Sequence, residues 1–249
     1  MIISHVKNNI RKVLISSSIN FLINNLIKVV LPICLGPLIV YIPNLSTGIF
    51  EKSSSLVGVL GTDNATRIMQ NLIAKAKSLN AEGVSCFAYT GSYHLPLKTF
   101  TKRIIDDIVF IEEIIGVGEI AISDHRGSQP TIEELTRLTS DARVGGILSK
   151  KAGIVNVHVG RGKNFVGPLI EVVKKSDLPI AQFLPTHMNK GKESKFDEKG
   201  NFLKLDVADV CTLFKEVKDC VIQEDIPLEE ALKVITSNPA NFLKVENKG

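Results

Sequence analysis

Three side chains in this sequence of 249 residues have the types and positions to bind a metal ion. Glu119 lies among apolar neighbours within residues 116–126, and His158 and His187 each end a later apolar run. An ionised carboxylate in an apolar strand is costly unless it is paired or holds a metal. Two imidazoles with a carboxylate form a ligand set suited to zinc. Histidines at strand ends also serve as hydrogen-bonded structural residues, and the residue types alone leave both roles open.

Short apolar runs that alternate with amphipathic segments would position these side chains. The runs predict strands at residues 56–60, 84–89, 117–122, 154–159 and 180–184. Helical spacing predicts helices at 65–79 and 131–144, and Thr131 with Glu134 fits a capping box at the start of the second. Two further helices are predicted at 205–222 and 228–243, the latter entered through Pro227. Apolar strands alternating with helices indicate an α/β fold with a parallel sheet covered on both faces.

Polar residues follow the predicted strands at regular places. These residues are Thr62-Asp63, Thr90 to His94, Asp124 to Arg126, His158 and Thr186-His187, in chain order. In a parallel barrel the carboxyl ends of all strands meet at one mouth, whereas a doubly wound sheet gathers only those near its switch point. Polar side chains at the ends of all five predicted strands therefore favour a (β/α)-barrel.

The composition bounds the class of protein. With 44% hydrophobic residues the chain can bury a sizeable core. Its net charge of +4 is spread along the sequence and does not indicate a nucleic-acid-binding surface. The four cysteines show no C-x-x-C spacing; they are Cys34, Cys86, Cys211 and Cys220. Buried thiols in a reducing compartment are the favoured interpretation over disulfides, and we therefore predict a cytoplasmic protein.

The first 53 residues differ from the rest of the chain. An apolar run at 29–42 is shorter than the ~20 residues that span a bilayer, and it contains Pro32, Gly36 and Pro37. Basic residues precede it, so a signal anchor stays open, but a membrane role is disfavoured. We therefore divide the chain into an apolar N-terminal segment at 1–53 and a single α/β domain with C-terminal helices at 54–249.

Long motifs surround the same strand ends. They read V-G-V-L-G-T-D, Y-T-G-S-Y-H-L-P, G-V-G-E-I-A-I-S-D-H-R-G-S-Q-P-T, R-V-G-G-I-L-S-K-K-A-G-I-V-N-V-H-V-G and Q-F-L-P-T-H-M-N-K. These motifs closely resemble the β-aspartyl (isoaspartyl) dipeptidases of the amidohydrolase superfamily. The tail, from F-D-E-K-G-N-F-L to I-P-L-E-E-A-L-K-V-I-T-S-N, is similar to the late helices of that family. The resemblance covers roughly residues 54–190 and 196–249, and no part of 1–53.

The resemblance implies a metal-dependent (β/α)8 barrel that holds two zinc ions and cleaves β-aspartyl dipeptides. It places Glu119 at the position of the ligand that bridges the two metals. His158 and His187 match the pair that holds the second metal. Tyr93 matches a catalytic tyrosine that helps to stabilise the oxyanion when the amide is attacked.

The resemblance also implies three substrate-binding residues. Thr62 matches a threonine that contacts the substrate. Arg126 matches an arginine that clamps the α-carboxylate of the substrate through its planar fork of donors. Lys190 stands where an arginine is expected, and a lysine lacks the bidentate grip.

Three parts of the family pattern are absent from the sequence. The family holds its first metal with a His-x-His, and none of the 5 histidines here forms one. The aspartate that serves the family as general base and the strands around it do not match any segment after Lys190, and the closing strands do not match either. We therefore expect a partial amidohydrolase barrel that lacks the first and the last two strands and binds at most one zinc ion.

Two functions follow from the motifs, and a third, membrane attachment through the apolar segment at 1–53, is the less favoured alternative. The first is zinc-dependent hydrolysis of β-aspartyl dipeptides by a metallo-dipeptidase. The alternative is a catalytically inactive remnant that binds at most one metal ion or a family subunit. The expected partner is a β-aspartyl dipeptide, with no nucleic acid and no membrane, and homo-oligomerisation stays open.

Overall fold

The computed structural model describes residues 55–187, 210–223 and 226–245. The predicted N-terminal segment at 1–53, Lys190 and the charged loop that follows it lie outside the described residues. The division of the chain at residue 53 and the role given to Lys190 therefore stay predictions.

Five strands form one sheet, and each pairs in parallel with its neighbour in the chain. Their bounds are Ser55–Gly58 (β1), Ser85–Thr90 (β2), Ile114–Ile122 (β3), Ile154–Val159 (β4) and Phe183–Thr186 (β5). The strand order never reverses, so the described sheet has no switch point of the kind a doubly wound sheet needs. A parallel sheet in sequential order is consistent with part of a barrel, which confirms the α/β class and the parallel sheet that the sequence predicts.

Helices connect the strands and follow them. Their bounds are Met69–Ala81 (α1), Ile104–Phe110 (α2), Ile132–Ser149 (α3), Gly167–Lys175 (α4), Val210–Gln223 (α5), Leu228–Lys233 (α6) and Ser237–Leu243 (α7). The predicted capping box is confirmed, because Thr131 Oγ1 accepts from the backbone N–H of Glu134 while the Glu134 carboxylate accepts from the backbone N–H of Thr131. The two crossovers for which the sequence named no helix hold α2 and α4.

The start of the first helix differs from the prediction. The helix begins at Met69 and not at residue 65, because the Asp63 carboxylate accepts from the backbone N–H groups of Ala65 and Thr66. An aspartate that holds the two following amides fixes a local turn and competes with helix formation. Residues 63–66 therefore form a loop at the end of β1.

Other predicted elements were also wrong in their extent. The helix predicted to end at residue 144 continues to Ser149, and the strand predicted from residue 117 begins at Ile114. Residues 180–182 form a short 3₁₀ turn after Pro179, so β5 begins at Phe183 and not at residue 180. The single helix predicted at 228–243 is two helices, α6 and α7. Pro239 has no N–H to donate to the carbonyl of Ile235, and a continuous helix would need that hydrogen bond.

The two faces of the sheet carry different apolar clusters. One face packs against α1–α4 and includes Ala88, Val117, Ile120 and Val157. The opposite face carries a second cluster in which Leu243 of α7 packs with strand residues, among them Val57, Val59, Tyr89, Ile115, Ile154 and Leu184. Among the residues that the structure describes, no helix has the length and apolar character needed to cross a membrane.

Candidate metal centre

Glu119 reaches the site because β3 contains a bulge. Val117 pairs with Val155 and Ile120 pairs with Val157, so Gly118 and Glu119 together stand opposite the single residue Asn156. Val117 and Ile120 both lie in the helix-covered cluster, although three positions separate them in a strand whose side chains alternate. The extra residue in the bulge turns Glu119 to the opposite face, away from the helices.

This bulge requires a glycine at position 118. Its φ of +148° lies in a region that L side chains rarely adopt. A Cβ at Gly118 would lie 2.7 Å from the backbone oxygen of Asn156. The bulge therefore depends on a residue without a side chain immediately before the carboxylate.

Glu119, His158 and His187 converge as the sequence predicts. All three are buried, and one ligand atom from each lies within 4.8 Å of the others. Glu119 Oε1 is 3.5 Å from His158 Nδ1 and 3.6 Å from His187 Nε2. Two ligand atoms on one tetrahedral zinc, each bound at about 2.0–2.1 Å, lie roughly 3.4 Å apart. The two separations from Glu119 Oε1 therefore match those of ligands to a single ion, and the third pair, the two imidazole nitrogens, lies within 4.8 Å.

Glu119 is negatively charged despite its burial. Burial raises the pKa of this carboxyl, but hydrogen bonding and positive charge from His158 and His187 in their protonated forms outweigh it and hold the pKa at about 2. Thr186 adds a hydrogen bond from its hydroxyl to Oε1 at 3.0 Å. Glu119 Oε2 is buried and has no hydrogen-bond partner among the described residues. A buried anionic oxygen without a donor fits a site that is completed by a cation.

His158 is the second-last residue of β4, and its two ring nitrogens have different surroundings. Nδ1 faces the site and lies 2.7 Å from the hydroxyl of Tyr93. Nε2 points away from Glu119 and lies 2.9 Å from Asp124 Oδ2. The His187 ring stands edge-on to that of His158, with 4.5 Å between the ring centroids. His187 adopts φ +62°, an uncommon backbone conformation for a residue other than glycine, immediately after β5.

Tyr93 is held at the site by the backbone of two neighbouring strands. Its N–H donates to the carbonyl of Gly61 after β1, and its carbonyl accepts from the N–H of Ala121 in β3. The side chain is fully buried, and its ring lies 4.7 Å from that of His158. The structure therefore brings the predicted catalytic tyrosine together with the predicted metal ligands.

The Arg126 side chain lies at the rim of the site and is 41% exposed. It forms an ion pair with Asp124. Its Nε donates to Oδ1 at 3.0 Å and its Nη2 donates to Oδ2 at 2.7 Å. Burial raises the pKa of Asp124, but hydrogen bonds from His158 and Arg126 together with the guanidinium charge hold it well below the usual range. The guanidinium also stands over the ring of Tyr93, with 5.8 Å from Cζ to the ring centroid.

Thr62 lies exposed in the loop after β1, within the turn that leads to Asp63. That loop is joined to the loop after β2 by a hydrogen bond of 3.1 Å from Asn64 Nδ2 to Ser92 Oγ. Among the described residues, no hydrogen bond joins Thr62 to the metal ligands. Its substrate-binding role therefore stays a prediction.

Sequence reasoning assigned no role to Asp124 or Thr186, although both contact a predicted ligand. Each stands directly beside residues that the sequence singled out, Asp124 two positions before Arg126 and Thr186 just before His187. The signal was therefore present. A metal-binding histidine usually donates its second N–H to a carboxylate, a backbone carbonyl or a water molecule, and Asp124 is a carboxylate at the end of the neighbouring strand.

The loops after β3 and β4 approach each other closely enough for this contact. A Cβ at Gly160 would lie 2.3 Å from the backbone oxygen of Ser123 and 2.5 Å from Asp124 Cβ. The N–H of Gly162 donates to that same oxygen at 2.6 Å. Glycine after β4 thus lets Asp124 reach the ring of His158.

Comparison with solved structures gives close matches, although no protein-family model matches the chain. The β-aspartyl dipeptidase of the thermophilic, keratin-degrading Fervidobacterium islandicum AW-1, in complex with the β-Asp-Leu dipeptide, is 41% identical, with a TM-score of 0.70 over 78% of this chain and 64% of that one. A second structure of the β-aspartyl dipeptidase from this organism is 40% identical, with a TM-score of 0.66 over 76% of this chain and 63% of that one.

The chain therefore spans just under two thirds of the length of these relatives. At 40–41% identity the likeness goes beyond a shared fold, and both relatives are dipeptidases, which are hydrolases. The resemblance that the motifs indicated is thereby confirmed: this chain is a relative of the β-aspartyl dipeptidases.

Proposed function

We propose that this chain is a metal-dependent hydrolase of β-aspartyl dipeptides. The observation that carries the proposal is the buried group of Glu119, within the second half of β3, His158, near the end of β4, and His187, directly after β5. It occurs in a chain 41% identical to a dipeptidase that binds β-Asp-Leu. Two imidazoles and a carboxylate favour zinc as the ion.

The ligand atoms would be Glu119 Oε1 or Oε2, His158 Nδ1 and His187 Nε2. A zinc ion held there would supply Lewis acidity, polarising the scissile carbonyl and activating a water molecule. The protein contributes a dry, anionic setting, because all three side chains are buried and the carboxylate is ionised. Electrostatic interactions are stronger in such a setting than in water.

Tyr93 is the proposed oxyanion donor. Its hydroxyl lies 2.7 Å from His158 Nδ1, the nitrogen that faces the ion site. With the Nδ1 lone pair used to hold a metal ion, the Tyr93 hydroxyl would donate its proton to an oxygen beside the site and no longer to His158. A preorganised donor directed at a developing negative charge is typical of amide-hydrolysing sites.

Arg126 is the proposed clamp for the α-carboxylate of the substrate, and its position at the rim supports this role. The guanidinium is partly exposed and lies close to both His158 and Tyr93. Thr62, exposed on the neighbouring loop, is proposed as a further substrate contact. Lys190 is proposed as a weaker substrate contact on sequence grounds alone.

A second candidate function is metal binding without turnover. Its support is that the sequence contains 5 histidines and no His-x-His, and that a single three-residue ligand group occurs among the described residues. A site with one ion would lack the second positive charge that two-metal hydrolases use to stabilise attacking and leaving groups.

An assay with β-Asp-Leu separates the two candidates. We expect the zinc-loaded chain to hydrolyse β-Asp-Leu, to lose that activity when a chelator removes the metal, and to regain it when zinc is returned. α-Asp-Leu is the matched control substrate and should not be cleaved. Zinc binding without hydrolysis would favour the second candidate, and the absence of both would refute the metal centre.

A further inference from the structure

We propose that Asp124 is a positioning residue that holds His158 in the one tautomer able to bind a metal ion, and that Arg126 fixes the orientation of Asp124. The inference rests on the proposed metal centre. It adds a residue to which neither the sequence motifs nor the comparison assigned a role.

The two nitrogens of His158 face groups of opposite hydrogen-bonding character. Nε2 lies 2.9 Å from a carboxylate oxygen of Asp124, which accepts hydrogen bonds and donates none when ionised. Arg126 Nη2, which can only donate, is farther from Nε2 at 3.2 Å and makes its shorter contact, 2.7 Å, with the same carboxylate oxygen, so Asp124 is the nearer partner of Nε2. Nδ1 lies 2.7 Å from the hydroxyl of Tyr93, which is able to donate. Both contacts are satisfied together when the proton is on Nε2 and the lone pair is on Nδ1.

That tautomer is the one the metal centre needs. Nδ1 is the nitrogen nearest Glu119, and a metal ligand must offer a lone pair. Donation of the second N–H to a carboxylate also fixes the orientation of the ring and increases its basicity as a ligand. Asp124 is placed to do both, although it lies outside the ligand group.

Asp124 is held in place by a dense set of donors. Oδ1 accepts from the backbone N–H of Arg126 at 2.9 Å and from its Nε at 3.0 Å. Oδ2 accepts from Arg126 Nη2 at 2.7 Å and from His158 Nε2. Gln129 Nε2 donates to the backbone carbonyl of Asp124 at 2.7 Å. The carboxylate therefore has little freedom to turn away from the imidazole.

This arrangement gives Asp124→Asn a definite consequence. We expect the amide oxygen to take the Oδ1 position, because two N–H donors of Arg126 face that position and only one, Nη2, faces the Oδ2 position. The amide NH₂ then faces His158 Nε2, which must accept, and the proton moves to Nδ1. An aspartate-to-asparagine change beside a catalytic histidine imposes the wrong tautomer in this way. Asp124→Ala removes the acceptor at Nε2 and also the carboxylate that holds the Arg126 guanidinium beside it, so it imposes the opposite tautomer less firmly than Asp124→Asn.

The test measures the tautomer and the zinc affinity of the full chain. In metal-free protein with ¹⁵N-labelled histidine, we expect His158 to carry its proton on Nε2 in the wild type, on Nδ1 in Asp124→Asn, and on a mixture of the two in Asp124→Ala. Zinc affinity should fall in the order wild type, Asp124→Ala, Asp124→Asn, with a loss of about 10–100-fold for the asparagine variant. Asp106→Asn, on the surface beside Arg103, makes the same change in charge and should alter neither quantity.

The order of the variants separates positioning from simple structural support, since support alone would make the larger truncation to alanine the more harmful change. A wild-type His158 protonated on Nδ1, or an Asp124→Asn variant with the wild-type tautomer, would overturn the inference. Wild-type protein that binds no zinc would refute the proposed function, and the tautomer measurement would still decide the role of Asp124.

Discussion

Glu119 shows how a buried carboxylate can be both charged and stable. Two imidazoles and a hydroxyl surround one of its oxygens, while the second is buried with no donor among the described residues. The charge is thus held by neighbours that would themselves become ligands. A carboxylate in this setting couples the stability of the metal-free protein to pH.

We predict that Glu119→Gln makes the metal-free protein less sensitive to acid. The pKa of Glu119 is lowered on folding from 4.5 to about 2. Its ionised form therefore contributes stability that is complete above about pH 4.5 and is lost as the pH falls toward 2. That contribution is on the order of 3 kcal/mol. Urea unfolding of both proteins at pH 6, 4 and 3 measures it.

The free-energy difference between wild type and Glu119→Gln should shrink steadily across this pH series. A difference that stays constant would show that the carboxyl group has the same pKa in the folded and unfolded states. It would contradict the pairing of Glu119 with His158 and His187.

For individual residues, the sequence predicted the metal ligands better than the residues that position those ligands. Glu119, His158 and His187 stand out because their types are rare in apolar strands. Asp124 does not, because its role depends on which nitrogen of His158 it faces. That orientation follows from the close approach of two loops at Gly160, which is a property of the folded backbone.

Among the secondary-structure elements, the bulge in β3 does most to build the site. The run from Ile114 to Ile122 reads as one regular buried strand, and its burial is uniform along its length. Residues buried on both faces give no alternation from which to read a shift in register. The sequence therefore predicted the strand but not the bulge, although a glycine before a functional residue is a common sign of one.

We predict that Gly118→Ala disrupts the metal centre. An L residue at φ +148° is strained, and its Cβ would lie 2.7 Å from the backbone oxygen of Asn156. The expected cost is about 2 kcal/mol of folding free energy, with zinc affinity lowered at least tenfold because Glu119 is displaced. Thermal unfolding and zinc titration measure the two effects.

Gly167→Ala is the matched control. Gly167 begins α4, and a Cβ there would meet only Asn164 Cβ, at 4.0 Å. Its effect should stay within about 0.5 kcal/mol, because alanine is a better helix former than glycine. Equal behaviour of the two variants would mean that the bulge at Gly118 is not needed for the site.

The helices show where local sequence signals suffice. The capping box at Thr131 marked the start of α3 within one residue, since capping is a purely local interaction. The division between α6 and α7 was missed, although Pro239 marks it in the sequence. The apolar residues keep their helical spacing across that proline. Their periodicity alone therefore does not reveal the break between α6 and α7.

Considered as a whole, the described molecule is a sequential parallel sheet whose strand ends carry polar side chains on one edge. That arrangement followed from the order of polar residues along the chain, which only a sheet with unreversed strand order brings together. The sequence therefore predicted the location of the site. It could not predict the packing of α7 against the opposite face, which joins residues far apart in the chain.

Equilibrium dialysis of the purified chain against zinc, followed by metal analysis, tests the central claim most directly. We predict one zinc ion per chain for the wild type and none for Glu119→Gln or His187→Ala, with Asp106→Asn retaining the wild-type amount. A wild type that binds no zinc, or ligand variants that bind as much as the wild type, would contradict the account.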